Sequence, residues 1–379
     1  MSFLEYRVKT APTGLSKVFY IHWALILVVT AVAAIGWLML YSIAGGDLNT
    51  WAEPQMKRYV LGLILMLGVA FTPIWFWRSM AGMAYGVSVL LLLVVEFFGT
   101  VGMGAQRWID LGFMRLQPSE FMKVAQVMML AMYYDWLDDK KVSRLLWVLI
   151  PVILIVGPTV LVLMQPNLGT SIMLIVAGGA VMFAAGVSIW YFVAVIAMVV
   201  GAVAAVLESE GTSWQLLHDY QYRRIHTFLD PAADPLGAGY NIIQAKIALG
   251  SGGWAGKGFM QGTQSRLNFL PEKHTDFIFT TLGEEFGFVG AFSLLMLYAL
   301  ILVFLLWAAI QNRDRFSQLV IIGVAANFFL YIAVNLSMVM GMAPVVGVPL
   351  PLLSYGGSAT LMIMLSFGLV QSAIVHRLR

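Results

Sequence analysis

Leu270-Pro-Glu-Lys-His-Thr-Asp-Phe-Ile-Phe-Thr-Thr-Leu-Gly-Glu-Glu-Phe-Gly-Phe-Val-Gly290 is the stretch on which the reading of this chain turns. It passes from a polar segment into a long apolar run, and it gathers Glu272, Lys273, His274, Asp276, Glu284 and Glu285 at the crossing. The second half predicts a helix of membrane-spanning length, the first half a water-exposed loop. Charged groups at such a boundary are partly desolvated, so neighbours can tune their pKa and general acid/base chemistry becomes available. Two structural roles compete with that reading. Thr281 and Glu284 have the spacing of a capping box, and Asp276 has the position of a helix cap or of a solvated loop residue.

The surrounding composition is that of a membrane protein. Of 379 residues, 60% are hydrophobic and 11% charged, where an ordinary soluble domain has about a quarter charged. The chain has no cysteine, which excludes disulfides and thiolate metal sites, and its five histidines are scattered without ligand spacing. Arg7, Lys9 and Lys17 precede an apolar run of spanning length that lacks a small-residue cleavage pattern. This reads as a retained first helix rather than a signal peptide.

Apolar runs long enough to cross a bilayer fall near residues 20–44, 57–77, 79–98, 117–136, 145–164, 167–186, 188–207, 283–310, 317–340 and 358–376. The expected fold is therefore an all-α integral membrane protein of about ten transmembrane helices, one polytopic membrane domain over residues 1–379. Lys and Arg are concentrated at the termini, at Arg78, at Lys140, Lys141 and Arg144, and at Arg313 and Arg315. The positive-inside rule then predicts both termini in the cytoplasm. A large extracytoplasmic loop, residues 208–282, lies between helices seven and eight and carries the opening stretch outside with it.

Loops of that length are usually functional or disordered. Here Trp214, Leu217, Ile225 and Phe228 share a helical face and Arg223 and Arg224 another, the pattern of a helix lying among anionic headgroups. A second helical stretch runs from Tyr240 to Leu249. The run Gly250 to Gly258 follows, with Trp254 as a stacking platform and Lys257 as a cation; glycines there allow close approach of a ligand or simply a flexible turn. Arg107 and Trp108 occupy the loop before the fourth helix. Pro118 suits that helix's start, which puts Glu120 and Lys123 three apart on one face, where they can pair. Charges at such depth face a bundle interior or a wet cavity. The apolar but Pro- and Gly-rich run Gly341 to Ser358 predicts a non-helical plug packed among helices.

Several of these segments together closely resemble the SEDS family (shape, elongation, division and sporulation), and within it the rod-shape branch rather than the division branch. The likeness is carried by Phe228-Leu-Asp-Pro231, Gly237-Ala-Gly-Tyr-Asn241, Gln244 to Trp254, Gly262-Thr-Gln-Ser265, Leu270 to Phe279 and Gly283-Glu-Glu285. Arg107-Trp108, Gln117-Pro-Ser-Glu120 with Lys123, the turn at Gln165 and the run Pro349 to Ser358 extend it across essentially all ten helices. Asn167 departs from the pattern, since the family turn usually has Asp.

The resemblance implies a glycosyltransferase that polymerises lipid II outside the bacterial cytoplasmic membrane, during elongation and rod-shape maintenance. It also implies a class B penicillin-binding protein as partner, besides membrane lipids, and no nucleic acid. The essential carboxylate falls on Asp276. The expected substrate-binding set is Lys123, Glu120, Arg107, Trp108, Arg223, Arg224, Lys257, Lys273, His274, Glu284 and Glu285. It makes no cofactor certain and leaves open a divalent cation such as Mg2+ or Mn2+. The residues alone leave two other readings standing. One is a lipid-precursor flippase or transporter using Glu120 and Lys123, although the chain lacks the matched broken helices of an inverted repeat. The other is an inactive scaffold.

Overall fold

The computed structural model describes residues 14–102, 105–110, 112, 115–212, 215, 222, 239–267, 269–270 and 272–377. Its helices in chain order are α1 (Trp23–Ile43), α2 (Ala52–Phe71), α3 (Ile74–Phe98), α4 (Pro118–Trp136), α5 (Leu145–Met164), α6 (Leu168–Ala184), α7 (Ile189–Ser209), α8 (Tyr240–Ser251), α9 (Thr263–Arg266), α10 (Ile278–Gln311), α11 (Arg315–Val339) and α12 (Gly357–Val375). A helix stands at each of the ten apolar runs. Seven of them (α1, α3, α5, α7, α10, α11 and α12) have the length and hydropathy of a membrane crossing. Charges enter α2 at Glu53, Lys57 and Arg58 and α4 at Glu120, Lys123 and Asp135, and α6 is apolar but only 17 residues long. The expected interfacial helix around Trp214 to Phe228, with Arg223 and Arg224, lies outside the described residues except for Gln215 and Tyr222.

Helix boundaries follow local chemistry more closely than the apolar runs do. Thr72 precedes Pro73 and is extended (ψ 132°), because a residue before proline is driven out of the helical region. The second helix therefore stops at Phe71 and the third starts at Ile74, several residues earlier than hydropathy alone predicts. α10 begins at Ile278 rather than near 283 and is broken within by Gly287, whose φ of 65° is left-handed and suited to glycine.

That break explains the glycine-rich segment. The loop over 252–258 replaces the missing helical bonds: Lys257 and Gly258 donate backbone N–H to the carbonyls of Glu284 and Glu285, and Phe288 and Val289 donate to those of Gly253 and Trp254. A Cβ on Gly252 would come within 1.9 Å of the Gly283 carbonyl oxygen, and one on Gly256 within 2.1 Å of that of Glu285. The glycines permit backbone to lie on backbone; no ligand is needed to account for them.

The run from Gly341 to Gly356 is irregular; its first part is largely exposed, at Met342, Pro344, Val345 and Gly347, and only the part from Val348 onward is packed inside the bundle, with Val348, Leu350, Leu352, Leu353 and Ser354 all buried. Its polar backbone is satisfied by side chains of other helices. Asn335 Nδ2 donates to the Val348 carbonyl (2.8 Å), the Tyr298 hydroxyl to that of Pro351 (2.7 Å) and Gln55 Nε2 to that of Ser354 (3.2 Å). Between α3 and α4 the chain adds a small antiparallel sheet, β1 (Thr100–Gly102), β2 (Ala105–Asp110) and β3 (Arg115–Leu116), in that order. Asp110 pairs with Arg115 across it. Near the opposite end of the bundle Arg78 of α3 bridges Asp135 of α4 (3.2 Å) and Asp314, and Asp314 caps α11 through the Ser317 N–H (2.9 Å).

Candidate active site

One cavity of about 170 Å³ collects the chemistry. It is lined by Arg107 and Trp108 from β2, Glu120 and Lys123 from α4, Asn167 and Thr170 at the start of α6, Thr275 and Asp276 ahead of α10, Tyr331 of α11, the plug from Gly347 to Pro349, and Tyr355 through Ala359 at the start of α12.

Asp276 is held there by its backbone. Three successive carbonyls are tied to neighbouring elements: that of His274 accepts the Tyr355 N–H (2.9 Å), that of Thr275 the Ser354 hydroxyl (2.6 Å), and that of Asp276 the Asn335 side-chain amide (2.8 Å). The carboxylate itself has no hydrogen bond or ion pair among the described residues. Burial pushes its pKa up to about 6, and the like charge of Glu272 adds to the rise. A carboxylate that is unpaired, half-buried and titrating close to neutrality has the properties of a general base.

The pair expected on α4 forms, and it is closed by a third group. Lys123 Nζ donates to Glu120 Oε1 (2.7 Å) and to the Tyr331 hydroxyl, which in turn donates to Glu120 Oε2. The ammonium also lies 4.0 Å from the centroid of the Tyr331 ring. Lys123 and Glu120 are both 4% exposed, so the triad is a desolvated wall rather than a surface ion pair. Arg107 donates to the carbonyls of Gln165 (3.0 Å, from Nε) and Pro166, which fastens the sheet to the turn before α6. There Asn167 caps α6 by accepting the Thr170 N–H (3.3 Å), a task that needs an oxygen and not a charge.

Arg107, Trp108, Glu120, Lys123 and Asp276 therefore meet in one cavity. The other described candidates are engaged elsewhere. Glu284 is not part of a capping box on its own helix; it caps α9, accepting the N–H groups of Thr263 (2.8 Å), Gln264 (3.1 Å) and Ser265 (3.4 Å), the Thr263 hydroxyl (2.9 Å) and Lys257 Nζ (2.7 Å). Lys257 is thereby committed to Glu284. Glu285 accepts from the Ser42 hydroxyl, and Lys273 donates to the Ser265 carbonyl; burial lowers the Lys273 pKa. His274 stacks on Trp51 with ring centroids 4.2 Å apart, and burial lowers its pKa. Trp254 packs edge-on against Phe288 and is otherwise exposed, away from the cavity lining.

Sequence reasoning missed Tyr331, Tyr355 and the start of α12. Tyr331 lies 208 residues from Lys123 in the chain, inside a run that reads as plain hydrocarbon, and no local pattern marks it. Among the described residues no group of three His, Asp or Glu side chains converges to hold a metal ion. Among the residues that line the cavity, the positive charges are those of Lys123 and Arg107.

The comparisons with known proteins agree with this architecture. Residues 18–378 match the model of the FtsW/RodA/SpoVE family, described as cell cycle proteins, and the chain belongs to that family. It is 43% identical over 354 residues to the peptidoglycan glycosyltransferase MrdB of Escherichia coli K12, covering 93% of each chain. The MrdB of Helicobacter pylori strain 26695 is 34% identical over 340 residues, covering 85% of this chain and 83% of that one. Among solved structures, one chain of a peptidoglycan synthase complex described as coordinating polymerization and crosslinking superposes with a TM-score of 0.79 at 29% identity, covering 93% of this chain and 97% of that one. The rod shape determining protein RodA of Thermus thermophilus gives 0.70 at 27% identity, covering 95% and 98%. The fold is that of a multi-pass bacterial membrane protein.

Proposed function

We propose that this protein is a peptidoglycan glycosyltransferase that polymerises lipid II on the outer face of the cytoplasmic membrane during cell elongation, with both termini in the cytoplasm. The observation that carries the reading is the unpaired Asp276 carboxylate in a cavity it shares with Arg107 and Lys123. The relatives' activity and the basic residues of the inner segments support the rest.

The chemistry follows from the groups present. The 4-hydroxyl of one saccharide attacks the anomeric carbon of another. As the new C–O bond forms, the bond from that carbon to the lipid pyrophosphate breaks, the hydroxyl proton passes to Asp276, and negative charge gathers on the departing pyrophosphate. Asp276 is free to accept that proton because nothing in the described structure already occupies its oxygens. Arg107 and Lys123, fixed in place by the turn and the triad, offset the growing charge without having to reorganise. The neighbour solved as part of a polymerising and crosslinking complex supports a class B penicillin-binding protein as partner.

The test uses purified protein and labelled lipid II. Wild type is expected to make glycan and Asp276→Asn almost none. Glycan formation by the Asn variant at near wild-type rate would refute the base assignment.

A further inference from the structure

Asp276 and the plug face each other across a narrow gap, and one side chain touches both. The plug's Gly347 has a left-handed backbone (φ 68°), and a Cβ built there would lie 3.6 Å from Asp276 Oδ2, so plug backbone borders the carboxylate directly. Asn335 of α11 is 0% exposed, and its Nδ2 gives one N–H to the Asp276 carbonyl and the other to the Val348 carbonyl, each at 2.8 Å. Both donors of the amide are thereby spent, one on the backbone of Asp276 and one on the residue after Gly347. Asn335 Oδ1 is buried without a partner among the described residues, so the two carbonyls dictate which way the amide points; the reverse orientation would set oxygen against oxygen.

The other ties in this region bear on neighbouring residues. The Ser354 hydroxyl and the Tyr355 N–H join the plug to the carbonyls of Thr275 and His274, before Asp276. The Tyr298 hydroxyl holds the plug at Pro351, away from the Asp276 segment. Asn335 is the side chain that reaches Asp276 itself. The titratable groups around the carboxylate are Glu272, Lys273 and His274 on its own segment, Arg107 from β2, Glu120 and Lys123 from α4, Tyr331 from α11 and Tyr355 ahead of α12; the lining residues of the plug and of α6 add none. How far the carboxylate stands from water depends on where the Asp276 backbone is held.

We propose that Asn335 is a positioning residue for glycan extension, fixing the gap between the Asp276 carboxylate and the plug backbone so that the carboxylate stays half-buried within reach of the attacking hydroxyl. This rests on the reading of Asp276 as the base. A general base must meet the hydroxyl at hydrogen-bond distance, and a misplacement of about 1 Å can cost about 10²-fold in rate. Without the amide the two carbonyls lose their common donor, segment and plug part, and the carboxylate moves toward water, which lets its pKa fall back toward the ordinary carboxylate range.

The experiment follows glycan synthesis against lipid II concentration and against pH, using the full chain in nanodiscs, with thermal unfolding on the same samples. Asn335→Leu keeps the branched shape and deletes both donors. Its kcat should fall about 10²-fold, its KM should stay near wild type because Arg107 and Lys123 are held by other contacts, and its acid limb should move to lower pH. Asn335→Ser, which keeps one donor on a shorter side chain, covers the case in which the Leu variant does not fold and should show the same signs with a smaller fall. Tyr298→Phe removes a buried bond to the plug that does not touch Asp276; it should lower the unfolding temperature and leave kcat and the acid limb unchanged. A folded Asn335 variant with wild-type kcat, or with reduced kcat and an unmoved acid limb, would overturn the proposal. So would a Tyr298→Phe protein that reproduces the shift, because any loosening of the plug would then suffice. Asp276→Asn assayed alongside separates the two failures: if it is active, the base reading falls and the role of Asn335 with it, whereas an inactive Asp276→Asn beside a wild-type-like Asn335→Leu removes the role of Asn335 alone.

Discussion

Asp276 and Glu284 belong to one acidic stretch, and the fold gives them opposite work. Glu284 is fully buried and saturated, with five donors on its two oxygens, so its charge knits α9 and the glycine loop to α10. Asp276 is half-buried and has no donor among the described residues, while its backbone is clamped on three consecutive carbonyls. The difference teaches that a carboxylate's role here is set by whether its oxygens are already occupied.

The largest effects on stability are expected where a buried charge is stranded. Removing either Glu120 or Lys123 leaves its partner uncompensated at 4% exposure and should cost about 3–5 kcal/mol. The double Ala variant should cost less than either single change, yet remain inactive because the Lys123 charge at the cavity is gone. Thermal unfolding alongside glycan synthesis reads both; recovery of activity in the double variant would make the triad purely architectural.

Glu284→Ala comes next. It removes the cap of α9 and the partner of Lys257, for a loss of about 1–2 kcal/mol from the cap alone. Activity per folded molecule should stay close to wild type. If Glu284→Ala keeps its stability and loses catalysis, the contrast with Asp276 is broken.

The smallest effect is a shift in pH dependence. Asp276 must be ionised to act, so the polymerisation rate should fall on the acid side with a midpoint near pH 6. Glu272→Gln removes a like charge that helps raise that pKa, and should move the limb to lower pH. For stability the sign runs the other way. A carboxylate raised above its unfolded value contributes fully at pH below about 4, and that contribution is lost as pH rises through 6. At neutral pH the neutral Asn variant should therefore unfold no lower than wild type. An acid limb unmoved by Glu272→Gln would show that the two carboxylates do not interact.

Much of this was legible in the sequence because its signals are local. Apolar runs located the helices, Pro118 marked the start of α4, and a three-residue spacing put Glu120 beside Lys123. What failed was any feature set by distant chain. The Thr281 to Glu284 spacing is a capping box by pattern, but the N–H groups Glu284 meets belong to α9, whose position depends on the kink at Gly287. The glycines of 252–258 read as a flexible turn or as room for a ligand and proved to be room for α10. Tyr331 carried no local mark at all; it matters through helices that meet only in the folded bundle.

The central claim is that Asp276 serves the reaction and not the fold, and one paired measurement on Asp276→Asn tests it: glycan synthesis from lipid II and thermal unfolding on the same purified sample at neutral pH. The account predicts a rate lower by about 10²–10⁴-fold, with an unfolding temperature at or slightly above that of wild type. A near wild-type rate, or a lost rate accompanied by a clearly lower unfolding temperature, would contradict it.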